Sequence, residues 1–350
     1  MTFEIIEIIK TLDAAFGLRT LNEHRARPTV LVIPGEALNT MLVFDLGTSR
    51  KILLSKSFAG FNYFKAGMEW LARSGKDVSI LNDFYNSTLL FQEGEMHRAW
   101  KSQFSRLLEE ASAELDAMKP QILRYFRKRR SHVRSPLDYS MAIVRLCAGL
   151  VIARLTSRPL RTVFRALAIR RNIFFPHFHP ARHIASGEAL QRLYVKAMPP
   201  NIDSPEWINH LLAQSLITMG IDPMIASICA SIVEGQIEPM TSGVYRYSPV
   251  SFVSRVCTAP ARIDGLDYAV GDVCYVSLLP SAEADVNPSA GAQSASLSFG
   301  LGLHTCIGKR ISLKILEIAE KVLRDVYGQG FSAQSEIAPD GAFLAFRNVK

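Results

Sequence analysis

The sequence predicts one large, mostly helical domain over residues 1–350. Two apolar patterns support this prediction. The run from Trp207 to Val233 carries Asp222 as its one charged residue, which is typical of a buried helix. From Ile307 to Val322 apolar residues recur at three- and four-residue intervals, which predicts an amphipathic helix. The composition agrees, since 48% of residues are hydrophobic and 21% are charged, as in ordinary globular proteins.

The long apolar run has a recognisable start and an internal break. Ser204 and Pro205 precede it, and they favour the N-cap and the first position of a helix. Pro223 lies inside the run, where it frees a backbone carbonyl and predicts a kink in the helix axis. A lone aspartate in a buried helix is costly unless it is hydrogen-bonded or protonated. We therefore expect Asp222 to have a function.

The stretch from Phe299 to Gly308 is the most informative part of the chain. Cys306 lies just before the predicted helix, where the helix dipole and free backbone N–H groups favour a thiolate. Gly302 and Gly308 allow tight turns and a close approach to a flat ligand. An aromatic ring at Phe299 can shield the sulfur from water. These features favour a ligating thiolate over a buried structural cysteine.

The pattern Phe-x-x-Gly-x-His-x-Cys-x-Gly closely resembles the haem-binding loop of the cytochrome P450 family. The resemblance implies a haem b cofactor (iron protoporphyrin IX), with Cys306 as the axial iron ligand. It also implies that Phe299, Gly302, His304 and Gly308 form the haem-binding loop. The implied fold is P450-like, mainly α with a small β region at Thr29 to Ile33, Met41 to Phe44, Val250 to Val256 and Ala342 to Phe346.

Three upstream residues resemble the family's contacts to the haem propionates. His97 and Lys101 match the start of the C-helix, and their i, i+4 spacing puts them on one helix face. Arg255 matches the strand that follows the K-helix. A histidine with a lysine on a solvated helix surface is the alternative interpretation of the first pair.

The run from Trp207 to Val233 resembles the I-helix, which crosses the distal side of the haem in this family. By that resemblance Gly220 opens a groove in the helix, and Asp222 belongs to the proton relay. Pro223 stands where the family usually has threonine, so the hydroxyl of the relay is missing. Gly220 and Asp222 are the catalytic residues that the resemblance implies.

The sequence also departs from the family's pattern in the regions that support the haem. Gly243 stands three positions before Arg246, where the family has the glutamate of Glu-x-x-Arg. The segment Pro280 to Ala295 lacks the second arginine of that cluster, and Ser296 replaces a frequent propionate-binding histidine. The F/G and J/K regions are shorter than usual, with Phe175 to Pro180 in the place of the distal roof. Glu234 or Glu238 could pair with Arg246 instead.

The charge and the cysteines bear on partners and location. The net charge is +8, with basic residues at Arg124 to Arg134, at Arg158 to Arg171 and at Lys309, Arg310 and Lys314. A positive patch beside the cysteine loop would attract an acidic ferredoxin or flavodoxin, although solvated helix faces explain the first two runs equally well. No nucleic-acid motif accompanies them. The first ten residues are too short and too acidic for a membrane anchor. Five scattered cysteines indicate a reducing cytoplasm.

Three functions remain open from the sequence. The first is a monooxygenase that hydroxylates, desaturates or couples a small organic substrate in a secondary-metabolite pathway. The second is a haem-thiolate enzyme without conventional O₂ activation, such as an isomerase, dehydratase or peroxygenase, which Pro223 favours. The third is a degenerate, non-catalytic haem-binding protein, against which the intact cysteine loop argues.

Overall fold

The protein is described from a computed structural model. The structure describes residues 30–35, 38–62, 65–129, 136–169, 184–185, 187, 209, 212–213, 215–216, 220–233, 250, 252–278, 297–327, 335–340 and 343–348.

Within these ranges the chain forms eight α-helices. They are α1 Leu46–Leu54, α2 Lys65–Arg73, α3 Ser79–Ser87, α4 Gly94–Lys128, α5 Pro136–Thr156, α6 Leu160–Ile169, α7 Ile221–Val233 and α8 Lys309–Val322. Short 3₁₀ turns lie at Leu89–Phe91 and Gly302–His304, and a π-helical turn at Leu323–Tyr327 continues α8.

In the part of the chain that the structure describes, the main sheet is formed by β1 Val30–Ile33, β2 Thr40–Val43, β3 Phe58–Gly60, β4 Phe252–Cys257 and β7 Val273–Ser277. These five strands lie in the order β1-β2-β7-β4-β3. Strands β2 and β7 are parallel, and the other neighbours are antiparallel. The pairing of β3 with β4 places Gly60 opposite Arg255 at the edge of the sheet. Two hairpins join β5 Ala261–Ile263 to β6 Leu266–Tyr268 and β8 Ser335–Asp340 to β9 Phe343–Asn348.

Helix α4 forms one wall of the core over 35 residues. Its buried side chains recur every three or four residues, so they form a single stripe along the helix. They are His97, Trp100, Phe104, Leu108, Ala111, Ser112, Leu115, Ile122, Leu123 and Phe126. The stripe is apolar except for Ser112 and, near its start, for His97, which is only 1% exposed. A buried imidazole among apolar side chains marks this end of α4 as different from the rest.

Helix α8 packs against α4 and α5 and fixes the position of the loop before it. Its apolar face is buried at Ile311, Ile315, Leu316, Ile318, Ala319 and Val322. The Tyr139 hydroxyl on α5 donates a hydrogen bond to the Ala319 carbonyl. Ion pairs join the helices at the surface, with Lys119 2.7 Å from Glu317 and Lys314 3.0 Å from Asp116. The apolar contacts carry most of the stabilisation, because exposed ion pairs contribute little.

Helix α5 is long and apolar enough to cross a membrane, judged by the length and composition of Asp138–Thr156. However, 61% of that window is buried inside the protein. The helix packs against α4, α6, α7 and α8, and Ile143, Val144 and Ile152 are fully buried there. Its apolar composition is therefore explained by its place in the core.

The predicted fold class, mainly α with a small β region, is confirmed. Strands β1, β2, β4 and β9 lie within two residues of the predicted strands. Strands β3, β5, β6, β7 and β8 were not predicted from the sequence. Helix α8 begins at Lys309, two residues later than predicted, because the chain still turns at Gly308. The F/G and J/K regions, where we expected shortening, lie largely outside the described residues.

Candidate functional site

The cysteine loop is a compact turn held by its own backbone. The Cys306 N–H donates to the Phe299 carbonyl at 2.6 Å, which closes the loop at its base. The Gly300 N–H donates to the Leu297 carbonyl at 2.7 Å, and the Lys309 N–H to the Cys306 carbonyl at 3.3 Å. The thiol therefore projects from a backbone whose position is set at both ends.

Two glycines of the loop have a backbone conformation that other residues rarely adopt. Gly300 has φ +67° and Gly302 has φ +68°. A Cβ atom at Gly302 would also lie 2.9 Å from the Leu53 carbonyl oxygen of α1. Gly308 has an ordinary φ of −77° and its Cβ would lie 3.7 Å from the Cys306 sulfur. Gly302 is thus required by the backbone, whereas Gly308 leaves space beside the sulfur.

The Cys306 side chain is exposed, yet protein atoms crowd around it. This desolvation raises the pKa of the thiol. The backbone of Gly308 and Lys309 and the charges of Lys101 and Lys309 lower it, but by less. The sequence predicted a thiolate favoured by the helix terminus. The donors are present, but desolvation outweighs them in the protein alone. Coordination to a metal ion would deprotonate such a thiol outright.

Two histidines meet beside this loop. The rings of His97 and His304 pack edge to face, with their centroids 4.9 Å apart. His304 Nε2 lies 2.8 Å from a carboxylate oxygen of Glu93, while the Nδ1 atoms of both histidines are buried without a hydrogen-bond partner. Desolvation lowers the pKa of His97 to about 4, with a further contribution from His304. Desolvation and then the charge of Arg255 lower the pKa of His304, and Glu93 opposes them.

Lys101 and Arg255 complete the cluster. The Lys101 ammonium donates to the Leu303 carbonyl, so α4 is tied directly to the cysteine loop. Arg255 is 3% exposed, and its guanidinium donates to the Ser254 carbonyl at 2.8 Å. Desolvation lowers the pKa of Arg255 to about 10, and the Glu93 charge opposes this. Two cations thus accompany two imidazoles with unpaired nitrogens.

Helix α7 and Gly220, the residue just before it, carry the positions expected on the opposite side of the site. A Cβ atom at Gly220 would meet side-chain atoms of Leu216 and Met224 at 3.6 and 3.8 Å, so packing does not require glycine there. Asp222 lies in the first turn of α7 and is half-buried, rather than fully buried as predicted. Pro223 lies within the helix, and the Ser227 hydroxyl donates to its carbonyl at 2.9 Å.

The basic residues beside the loop do not form the free positive patch that the sequence suggested. Arg310 lies 2.6 Å from Glu109, and Lys314 lies 2.7 Å from Glu317 as well as near Asp116. The Lys309 ammonium stands 5.4 Å from the centroid of the Phe299 ring. Carboxylates of α4 and α8 therefore offset much of the charge on this face.

The structure brings together most of the site residues predicted from sequence. Cys306, His304, Lys101, His97 and Arg255 converge from α4, β4 and the cysteine loop, which are far apart in the chain. Arg246, Gly243, Ser296, Ser204, Pro205 and the segments 175–180 and 280–295 lie outside the described residues. The contact of Glu93 with His304 and the positive φ of Gly300 were not predicted from the sequence. The glycine spacing could have indicated Gly300, whereas no local pattern indicates a partner for Glu93.

The described architecture is that of the cytochromes P450. One solved structure with this fold is P450BioI, in complex with an acyl carrier protein ligated to hexadec-9Z-enoic acid. The match covers 98% of this chain and 97% of the P450BioI chain, with a TM-score of 0.66 and 14% sequence identity. A second is P450epoK with bound epothilone D. This match covers 98% of this chain and 95% of the P450epoK chain, with a TM-score of 0.66 and 14% sequence identity.

A third solved structure is CxnD, described as a P450 enzyme for C–S bond formation in chuangxinmycin biosynthesis. This match covers 93% of this chain and 91% of the CxnD chain, with a TM-score of 0.63 and 16% sequence identity. No protein-family model matches the sequence, and no curated protein matches it significantly. At these identities the likeness shows the fold alone.

Replacing Gly302 with alanine should destabilise the protein more than the same change at Gly94. Gly94 has φ +69° with open space around its Cβ position, so Gly94→Ala measures the conformational cost alone, about 1–2 kcal/mol. Gly302→Ala adds the clash with the Leu53 carbonyl, for a total of about 3 kcal/mol. Urea unfolding of both variants checks this, and equal losses would contradict the clash.

The protein without bound ligand should lose stability as the pH falls from about 6.5 to about 4. His97 has an ordinary pKa of 6.5 and a folded-state pKa of about 4. Between these values the unfolded chain binds more protons than the folded one, so acid favours unfolding. We expect His97→Gln to flatten this part of the pH dependence of urea midpoints. An unchanged pH dependence in the variant would show that other groups cause it.

Proposed function

We propose that this protein binds haem b through Cys306 and acts as a monooxygenase on a small organic substrate. One observation carries the proposal. In a P450 fold, an exposed thiol just before α8 lies beside buried imidazoles whose Nδ1 atoms have no partner. Unpartnered buried polar atoms are rare in native proteins and call for a ligand or another explanation. The residues present therefore fit haem.

The proposed roles follow from the position of each residue. Cys306 would ligate the iron, while Phe299, Gly302 and Gly308 shape the loop around it. Lys101, Arg255, His97 and His304 would hold the two propionates by charge and hydrogen bonds. When bound, a thiolate-ligated haem supplies the cleavage of dioxygen and the oxidation of the substrate. The chain orients the substrate, excludes water from the site and delivers protons to it.

On the distal side we assign proton delivery to Asp222. Its half-buried carboxylate at the start of α7 can exchange a proton with solvent and pass it inward. Gly220, one turn before Met224, leaves room beside the helix, and packing gives no other reason for a glycine there. Gly220 and Asp222 together would form the access and relay side of the site.

Electrons would come from a separate ferredoxin or flavodoxin. The ion pairs of Arg310 and Lys314 reduce the positive charge near the loop, so Lys309 and the net charge of +8 are the remaining support for an acidic donor. We also propose a cytoplasmic location, since Cys147, Cys257, Cys274 and Cys306 are free thiols. A biosynthetic substrate is proposed from CxnD, an enzyme of like fold that forms a C–S bond in chuangxinmycin biosynthesis.

Cys306→Ala should abolish the thiolate spectrum of the haem-loaded protein. Reduction under carbon monoxide should give an absorption band at about 450 nm in the wild type, and the band should be lost in the variant. Cys147→Ala is the matched control, because burial raises the pKa of that thiol to about 12 and it lies in the α5 core. A wild-type protein that takes up no haem would refute the proposed function.

A second candidate function, use of peroxide or no oxidant at all, is favoured by Pro223. This residue has no hydroxyl to pass a proton, and its carbonyl is held by the hydroxyl of Ser227. The Ser227 proton is therefore directed at the backbone. An enzyme that receives peroxide, or that isomerises or dehydrates its substrate, would not need a proton relay for dioxygen.

Pro223→Thr should distinguish the two functions. In a monooxygenase a hydroxyl at this position should lower the hydrogen peroxide released per electron consumed, by about tenfold. The measurement uses the haem-loaded protein with reduced ferredoxin and air. Pro223→Ala is the control, since it removes the ring without adding a hydroxyl. The same fall in both variants would assign the effect to the helix backbone, and no fall in either would favour the second candidate.

A further inference from the structure

Glu93 occupies the N-cap position of α4 without capping it. Its backbone is extended, with φ −132° and ψ 171°, and its side chain makes no cap hydrogen bond. Aspartate, asparagine and serine are the residues that cap well, because their short side chains reach the N–H groups of the first turn. The longer glutamate side chain is directed elsewhere.

One oxygen of Glu93 joins two separate parts of the chain. Oε1 accepts the Gly60 N–H of β3 at 3.1 Å and lies 2.8 Å from His304 Nε2 of the cysteine loop. His304 is 211 residues away from Glu93 in the sequence. The contact therefore links the sheet edge, the start of α4 and the cysteine loop through a single atom.

Gly60 makes this link possible by close packing. A Cβ atom there would lie 2.2 Å from the Leu90 carbonyl oxygen and 3.3 Å from the Phe91 Cα atom. Only glycine allows the turn at Leu89–Phe91 to approach β3 so closely, and that turn leads directly to Glu93. The register of the sheet also places Gly60 opposite Arg255.

The contact leaves the other ring nitrogen of His304 available. Nε2 faces Glu93, and Nδ1 on the other side of the ring is buried without a partner. The side chain of His304 is 7% exposed, so neighbouring atoms restrict its rotation. A carboxylate that holds one nitrogen of a histidine fixes the ring orientation that the other nitrogen presents, as in the outer shells of metal sites.

We propose that Glu93 is a positioning residue that orients His304 toward the haem propionate and ties the sheet edge to the cysteine loop. In the loaded protein His304 takes a second proton from solvent, so that Nε2–H donates to Glu93 and Nδ1–H donates to the propionate. This inference rests on the proposed function, because it assigns His304 a haem contact. It differs from a capping role for Glu93, which would stabilise α4 alone. The reach of the side chain, rather than its charge, is the essential property.

Three substitutions separate reach, charge and capping. Glu93→Gln keeps the length and an Oε1 acceptor but removes the charge. Glu93→Asp keeps the charge and is a better helix cap, but it is one methylene too short to hold His304. Glu93→Ala removes the length, the charge and the acceptor oxygen together. Glu95→Ala is the matched control, because Glu95 lies on the same turn of α4, is fully exposed and approaches Arg98 only at 4.0 Å.

The measurement is the rate of haem loss from the loaded protein to an excess of apomyoglobin. We expect Glu93→Asp and Glu93→Ala to lose haem about tenfold faster than the wild type, in line with outer-shell substitutions at metal sites. Glu93→Gln should stay within about threefold of the wild type, and Glu95→Ala should match it. A parallel measurement on the unloaded protein follows hydrogen exchange at the Gly60 amide, which should quicken in Glu93→Asp and Glu93→Ala alone.

Different results refute the inference and the proposed function. A wild type that binds no haem would overturn the proposed function and the haem contact of His304 together. Haem loss that is equal in the wild type and Glu93→Ala would overturn the inference alone. Wild-type haem loss in Glu93→Asp would also overturn it, because capping or charge would then be sufficient.

Discussion

The packing of α8 against α4 and α5 is the constraint on which the rest of the site depends. The buried isoleucines of α8 fix its axis, and the cysteine loop is the segment that leads directly into it. Lys101 of α4 then reaches back to the Leu303 carbonyl, and the backbone of α1 lies against Gly302. The thiol of Cys306 is therefore positioned by apolar packing first and by polar contacts second.

The electrostatics of the site follow from this packed frame. Burial lowers the pKa of His97, His304, Lys101 and Arg255, and it raises the pKa of Cys306. Each of these shifts opposes charge in the protein alone. A ligand that brings a metal cation to the sulfur and carboxylates to the basic groups would reverse the balance. The arrangement is thus one in which the protein and an anionic metal-bearing ligand complement each other.

The features of the site that depend on neighbouring residues could be predicted from the sequence, and the contacts between distant residues could not. Cys306, its glycines and the α8 stripe could be predicted because each depends on neighbours within a few residues. Strand β7 was missed, although Val273 to Val276 has suitable residues, because its central place depends on pairing with β2 and β4. Glu93 was missed because its partner lies across the fold. The ion pairs of Arg310 and Lys314 were hidden for the same reason, so the basic run was taken for a free positive patch.

The long sequence separations within the site have a consequence for how the chain folds. Lys101 and Leu303 are 202 residues apart, and Arg310 and Glu109 are 201 apart. Contacts of such high contact order form slowly, because a large loop must close before they stabilise anything. During synthesis α4 leaves the ribosome long before its partners exist. The cluster around Cys306 is therefore completed only after residue 310 has been synthesised, and a chain that stops before this point would expose the apolar stripe of α4 to aggregation.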